Sequence, residues 1–271
     1  MAIITISRGT FSGGQQLADC LGQTLGYRVL SREVLAEAAV RYGVSEADLA
    51  VAMRSRPRLW DRFLHDRRRY LAFVQSALCE EVVNDNVVYH GHAGHLLLRS
   101  VRHVLRVRLI APLEYRIQEV ERRQGLSHQD AASYVSRVDR DREKWTRFLY
   151  GVNWHDPSLY DLVLNLECLD VGVACGAIAT IAMQPRFRAD EPSHNALEEL
   201  RLASRVRATL AADSSTRNAE VEVTAHQGSI EIEGKLPDPK LVETVVAVAR
   251  AVEGVKEVRY GTRVMLRDAP P

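Results

Sequence analysis

The chain lacks a net charge of either sign. Its 36 Lys and Arg residues meet 35 Asp and Glu residues over 271 positions, a formal balance of +1. Nucleic-acid binding is therefore not implied by net charge, although local arginine clusters can still hold phosphates. Long apolar runs are missing as well. The best one, residues 171–183, has 13 residues and reads as a buried helix, too short to span a bilayer, so no membrane partner is expected. The N-terminus has no basic region followed by an apolar core and a small-residue cleavage site, so no secretory signal is expected. Four cysteines, Cys20, Cys79, Cys168 and Cys175, have no metal-ligand spacing. A cytoplasmic setting with reduced thiols and no resident metal is the resulting expectation. A chain of this length suits one large core, or a domain of about 180 residues followed by a small one.

A local absence matters more than these global ones. Ile3, Ile4 and Ile6 make a β-branched run suited to a buried strand, and Gly9, Gly13 and Gly14 follow at once. Leu17, Cys20, Leu21 and Leu25 then recur at helical spacing. Strand, glycine turn and helix in that order frame a phosphate, because small residues let backbone N–H groups approach an anion at the positive end of a helix. The plainer alternative is a turn that uses glycine only for tight geometry. In the pattern GxxxxGK[ST], a lysine reaches the β- and γ-phosphates and a hydroxyl holds magnesium. Here Gly9 and Gly14 have the glycine spacing, yet Gln15 and Gln16 stand where the lysine and hydroxyl belong. Taking Gly13 as the last loop glycine puts Gly14 and Gln15 there instead. Neither register restores the pattern, so positive charge must come from elsewhere, with Arg8 and Arg32 the nearest candidates. The candidate cofactor-binding set is thus Arg8, Gly9, Ser12, Gly13, Gly14, Gln15 and Gln16.

The following segments alternate helix and strand. Residues 27–30 read as a second strand, and Ser31, Arg32 and Glu33 open a helix to about Tyr42. Ser45 with Asp48 marks another helix start. The segment to Arg69 interleaves Arg54, Arg56, Arg58, Arg62, Arg67, Arg68 and Arg69 with Leu59, Trp60, Phe63 and Leu64. Those arginines either face phosphate or cover apolar helix faces with their stems. Residues 70–83 are helical, and residues 87–90 form a third strand ahead of Gly91, His92, Ala93, Gly94 and His95. His90, His92 and His95 lack a carboxylate or cysteine to complete a metal set. They read as polar contacts at the end of the strand where ligands of open parallel sheets collect. A fourth strand, residues 104–110, alternates Arg106 and Arg108 with Leu105, Val107 and Leu109, which suggests a wetter face near a sheet edge. Helices follow over 113–123 and from a Ser127 cap onward. The second carries Arg137, Arg140 and Arg142 beside Asp139 and Asp141. Arg137 and Arg140, three apart, either converge on one phosphate, with Arg122 and Arg123 from the preceding helix, or pair with the neighbouring aspartates. Trp145, Phe148, Leu149, Tyr150 and Trp154 read as packing residues. Residues 160–166 give a fifth strand and 171–183 a closing helix. The whole implies an open, mostly parallel α/β sheet.

Taken together, ITISRGTFSGG, GYRVLSREVL, VVYHGHAGHLLL, the arginine-bearing hairpin ending RVDRDREKW, and NWHDPSLYDLVLNL resemble the cytidylate-kinase-like family of P-loop proteins over residues 1–185. The resemblance implies a nucleoside-monophosphate-kinase type of fold: a parallel sheet, a monophosphate-binding helical region and a lid. It also implies transfer of the γ-phosphoryl of ATP to a nucleoside monophosphate such as CMP, with Mg2+. It places Arg32 near phosphate, Gly91 and His92 at the family's substrate-contacting Gly-Arg segment, and Arg137, Arg140 and Arg142 in the catalytic lid. His92 departs from the family's arginine, and the missing loop lysine leaves a nucleotide- or phosphate-sensing pseudokinase open beside the kinase.

Residues 186–194, with prolines and mixed charges, read as a linker. Beyond it come a helix over 196–210, two alternating strands about His226, Gln227 and Gly228, a helix from Asp238 and Pro239 to about Val252, and a last strand. This αββαβ order, with EIEGKL and AVEGVKEV, resembles a BON domain over residues 195–267. The resemblance implies a small binding module acting through self-association or a protein partner. Its balanced charge offers no polybasic membrane patch.

Overall fold

The computed structural model describes residues 2–31, 33–52, 62–91, 93–167 and 169–261. The first half of the chain runs β1 (Ile3–Arg8), α1 (Gly14–Leu25), β2 (Arg28–Leu30), α2 (Glu33–Tyr42), α3 (Glu46–Ala52) and α4 (Arg62–Val82). It continues through β3 (Val87–Tyr89), α5 (Gly94–Leu97), β4 (Val104–Ile110), α6 (Leu113–Gln124), α7 (His128–Tyr150), β5 (Leu162–Asn165) and α8 (Val171–Ala182). The five strands form one parallel sheet in the order β2-β3-β1-β4-β5. Successive side chains of a strand point to opposite faces, so β1 feeds two cores. Ile3 packs with Phe73, Val74 and Leu78 of α4 on one face. Ile4 and Ile6 pack with Leu17 and Leu21 of α1 and Ile178 of α8 on the other.

Two expectations are corrected here. β4 does lie near the sheet edge, one strand in from β5, but the wetter face expected of it is not found. Its arginines are not there for solvent: Arg108 is buried, and Arg106 is clasped by Asp161 through its Nε at 3.0 Å and Nη2 at 2.8 Å. An arginine in a strand advertises water to a pattern reader, yet its planar donors are satisfied as well by a fixed carboxylate or carbonyl. The second correction concerns the thiols. Cys20 of α1 and Cys175 of α8, 155 positions apart, form a disulfide with Cα atoms 6.2 Å apart. Reduced cysteines were the expectation because no local spacing announces a pair brought together by two helices on one sheet face. Cys79 is free and buried, and burial pushes its thiol up to about 12.

The second half starts with α9 (Glu191–Ala212), held at its N-terminus by a reciprocal Asp190–Ser193 capping box. It begins five residues ahead of the helix expected at 196, inside the stretch read as linker. β6 (Val221–His226), β7 (Ser229–Gly234), α10 (Pro239–Arg250) and β8 (Glu257–Gly261) complete the chain. β6 and β7 form an antiparallel hairpin and β8 joins β7 in parallel. Gln227 and Gly228 both have positive φ, 51° and 88°, the primed turn that follows the strands' twist. Val223, Ile230, Ile232 and Val258 form a small core with Val206 and Leu210 of α9 and Val245 of α10. The outer sheet face carries Glu222, Glu231, Glu257 and Arg259, all exposed.

α9 serves both halves. Leu197 and Ala208 are buried in the core of the first, while Ala203, Val206 and Leu210 belong to the second. Glu80 of α4 ties the helix down, accepting from Arg205 Nη2 at 2.5 Å and Arg201 Nη1 at 3.2 Å. Burial alone would raise the Glu80 carboxyl, but these guanidiniums offset it and hold the group below its usual range. Among the described residues no helix is long and apolar enough to cross a membrane.

Candidate active site

The loop after β1 bends through Phe11 (φ 60°) and Gly13 (φ 76°) into α1. Gly13 takes the left-handed conformation at no cost; Phe11 holds it against its side chain. That ring is braced by Tyr134 of α7, with centroids 6.3 Å apart, and by the Arg123 guanidinium 5.7 Å from its centre. Ser12 folds inward and donates to the Gly9 carbonyl at 3.0 Å, so its hydroxyl closes the loop. No side chain caps the start of α1. A helix start carries unpaired N–H groups and a partial positive charge, the condition in which an anion is the natural partner.

That helix start opens into a cavity of about 410 Å³, walled by the loop, by Arg123 and Gln124 of α6, and by Tyr134, Val138, Asp141 and Arg142 of α7. A second cavity, of about 420 Å³, lies at the C-terminal ends of β2 and β3, among Ser31, Glu33, Tyr89, His90, Gly91 and His95, with Trp145, Thr146 and Trp154 above. The two share Arg8, Gln15 and Arg142. Arg142 donates to the Arg8 carbonyl at 2.8 Å. Arg8 Nη1 in turn lies 2.5 Å from the His90 carbonyl oxygen and 3.2 Å from its Nδ1.

The histidines of the second cavity are neutral bases. Burial, then the neighbouring Arg8, lowers His90 to about 4, and burial with Arg108 and Arg106 nearby lowers His95 to about 3. Glu33 stays ionised, held low by its own backbone N–H and by that of Ser31. Arg108 supports this wall from beneath. It donates to the Trp154 carbonyl at 2.5 Å and to the Tyr160 hydroxyl at 3.1 Å, and stacks 4.4 Å from the Trp154 ring centre. Buried His95 Nε2 and Trp154 Nε1 have no hydrogen-bond partner among the described residues, nor does Thr10 Oγ1 at the first cavity.

The lid helix α7 is docked on the loop. Thr10 N–H donates to Asp139 Oδ1 at 3.2 Å, and Arg116 of α6 forms an ion pair with the same carboxylate. Gly9 admits that pair, since a Cβ there would lie 2.7 Å from Arg116 Nη1. Of the three lid arginines expected at phosphate, only Arg142 lines the cavities. Arg137 lies over the Tyr134 ring, 5.6 Å from its centre, and both it and Arg140 are exposed. Arg122 pairs with Glu119 at 2.9 Å. Gln16 lines the first cavity only, and Gln15 also donates to Asp19 at 2.9 Å.

Arg32 and His92 lie outside the described residues, as do Arg54, Arg56, Arg58, Leu59, Trp60, Cys168 and the side chains of Arg62, Phe63, Leu64 and Arg67. Sequence reasoning placed His90 and His95 at the ligand end of the sheet, where they are found. It missed the Arg116–Asp139 latch, because Asp139 resembled a partner for neighbouring arginines. It also missed Trp154 and Arg108, whose patterns read as packing and solvent. Among the described residues, no three His, Cys, Asp or Glu side chains are grouped to hold a metal ion.

A parallel sheet in the order 2-3-1-4-5, a glycine loop feeding an uncapped helix, and two cavities meeting at that loop define a phosphate-loop protein of the small-kinase type. The profile of the cytidylate kinase-like family matches residues 3–167, and that of the BON domain matches residues 199–265. The chain belongs to the cytidylate kinase-like family and carries a BON domain after it. A cytidylate kinase of Ignicoccus hospitalis is 30% identical over 61% of this chain and 90% of its own length. One from Thermococcus sibiricus is 28% identical over 60% and 78%. A crystal structure of an uncharacterised protein from Eubacterium ventriosum shares the fold, with a TM-score of 0.51, 20% identity, and coverage of 67% of this chain and 98% of that one.

Proposed function

We propose that residues 1–185 transfer the terminal phosphoryl group of ATP to a nucleoside monophosphate such as CMP, and that residues 195–267, joined to them through α9, form a binding module. One observation carries this reading: two cavities of about 410 and 420 Å³ share the wall formed by Arg8, Gln15 and Arg142. A donor triphosphate and an acceptor monophosphate need such a meeting point, because phosphoryl transfer is mostly positioning and charge neutralisation. The ATP phosphates would lie on the open start of α1, with Arg123 and Arg142 alongside. The acceptor would take the second cavity, near Glu33, His90 and Trp154. Magnesium would arrive with the nucleotide, drawing most of its ligands from phosphate and water, with Asp141 as the carboxylate on the first cavity's wall. It would neutralise charge on the bridging phosphates.

A second reading has its own support. Asp139 sits on a loop N–H, so part of the cradle is already satisfied by a carboxylate, and α9 links loop-bearing and C-terminal halves through one rigid element. A protein that binds nucleotide and reports it through the BON domain fits those contacts. Purified full-length chain incubated with ATP, Mg2+ and each of CMP, dCMP, UMP, AMP and GMP separates the two. Diphosphate formation with a pyrimidine monophosphate is the expected outcome. Nucleotide binding with no transfer to any acceptor overturns the kinase and leaves the sensor.

A further inference from the structure

The loop lysine is absent, and the structure contains both a reason for its absence and a replacement. With Gly13 as the last loop glycine, Gly14 holds the lysine position, at the first residue of α1. Gly14 does not have a positive φ, unlike Gly13, so its backbone would accept any L-residue. A side chain there would contest space that Arg8 fills. A Cβ built on Gly14 would overlap Cδ of Arg8 and lie 2.8 Å from its Nε and 3.3 Å from its Cγ. The Arg8 side chain therefore crosses the helix start through the volume from which a lysine at 14 would extend.

Its far end is steered to the boundary between the cavities. The His90 carbonyl and ring hold Nη1, and Arg142 from the lid holds the Arg8 carbonyl. Arginine always carries its charge and presents several donors in a plane matched to phosphate oxygens. We propose that Arg8 is the catalytic cation of this loop, contacting the transferred phosphoryl group in place of the missing lysine, and that Gly14 is glycine so that Arg8 can reach it. The two positions are one exchanged unit: the cation has moved from the first residue of the helix to the last residue of the strand. In the transfer, an acceptor phosphate oxygen forms a bond to the γ-phosphorus as the bond to the β,γ-bridging oxygen breaks. The electron pair leaves on ADP, and Arg8 keeps its proton throughout.

This inference rests on the phosphoryl-transfer reading, and its test tells the two apart. Full-length wild type, Arg8→Gln, Gly14→Ala and the Arg8→Gln/Gly14→Lys double variant are compared for kcat and KM with ATP and CMP. Binding of a non-hydrolysable ATP analogue and thermal melts are measured alongside. Arg8→Gln is expected to lower kcat by about 10²- to 10³-fold, the size seen when one transition-state donor is removed, with the KM for CMP little changed. Gly14→Ala is expected to lower kcat as well, by displacing Arg8. Lysine at 14 in the Arg8→Gln background is expected to recover about tenfold, a coupling typical of residues in contact. Should Arg8→Gln melt early, Arg8→Ala with added methylguanidinium supplies the second reading, and recovery of rate on adding the ion supports the assignment. A wild type that transfers to CMP while Arg8→Gln retains its kcat within about threefold, or a Gly14→Ala variant at wild-type rate, overturns the exchange alone. A wild type that neither transfers nor binds the analogue removes the kinase reading beneath it.

Discussion

The two halves of this chain bury polar groups very differently. In the first, His90, His95, Arg108, Thr10 and Ser12 are all buried, and they crowd the loop end of a sheet covered on both faces. In the C-terminal sheet, the inner face is apolar and the charges stand on the outer face in water. Burying a polar group costs free energy unless it is paired, so a cluster of such groups at one end of a sheet marks a place where the fold has met that cost. The contrast fits the phosphoryl transfer proposed for the first half and the binding role proposed for the second.

The largest test of that contrast is Arg142→Ala. Loss of a donor that lines both cavities and holds the Arg8 carbonyl should cut kcat/KM for transfer to CMP by about 10²- to 10³-fold. Steady-state kinetics with a melt to confirm folding would check it. In the second half, Ile232→Ala should cost about 2–4 kcal/mol, mainly as a packing defect, read from denaturant unfolding, while transfer kinetics at low temperature stay near wild type. Glu80→Gln probes the junction. Arg201 and Arg205 would lose a charged acceptor, for about 1–3 kcal/mol, and a single unfolding transition should separate into two.

Acid supplies a graded version of the same comparison. The buried, neutral His90 and His95 bind protons only near pH 4 and 3, whereas in the unfolded chain they do so below about 6.5. The unfolded state therefore gains protons first as pH falls. Stability should decline from pH 6.5 toward 4, with each histidine adding up to about 1.4 kcal/mol per pH unit. His95→Asn should flatten that slope in unfolding measured by pH series. The smallest effect belongs to Arg137→Ala. Its side chain is exposed and off both cavities, so a change in kcat/KM within about threefold is expected, as for a solvated surface charge.

Much of this fold was legible in local pattern. The strand, glycine turn and helix at the N-terminus, the Ser127 cap, the Asp238 and Pro239 helix start and the Gln227-Gly228 turn are each decided within a few residues. The candidate site was legible only where its residues belong to one such segment. Gly9 to Gln16 and the histidines after β3 were visible, but Arg116 meeting Asp139, or Arg108 beneath Trp154, joins segments far apart in the chain. An arginine or aspartate reads the same whether it faces water or a partner 23 or 46 residues away. Local periodicity reports which face a side chain occupies, and it carries no information about what covers that face.

The sequence alone determined the order of elements, the two-part organisation and the loss of the loop lysine, because backbone preference and hydrophobic period act over short distances. Tertiary structure alone decided that Arg108 of β4 is buried, that Cys20 meets Cys175, and that Arg142, and not Arg137 or Arg140, lines the cavities. It also placed the Arg8 side chain against Gly14. A glycine in place of lysine is a loss when read along the chain; beside the Arg8 side chain that fills its space, it is room kept for a charge arriving from another element.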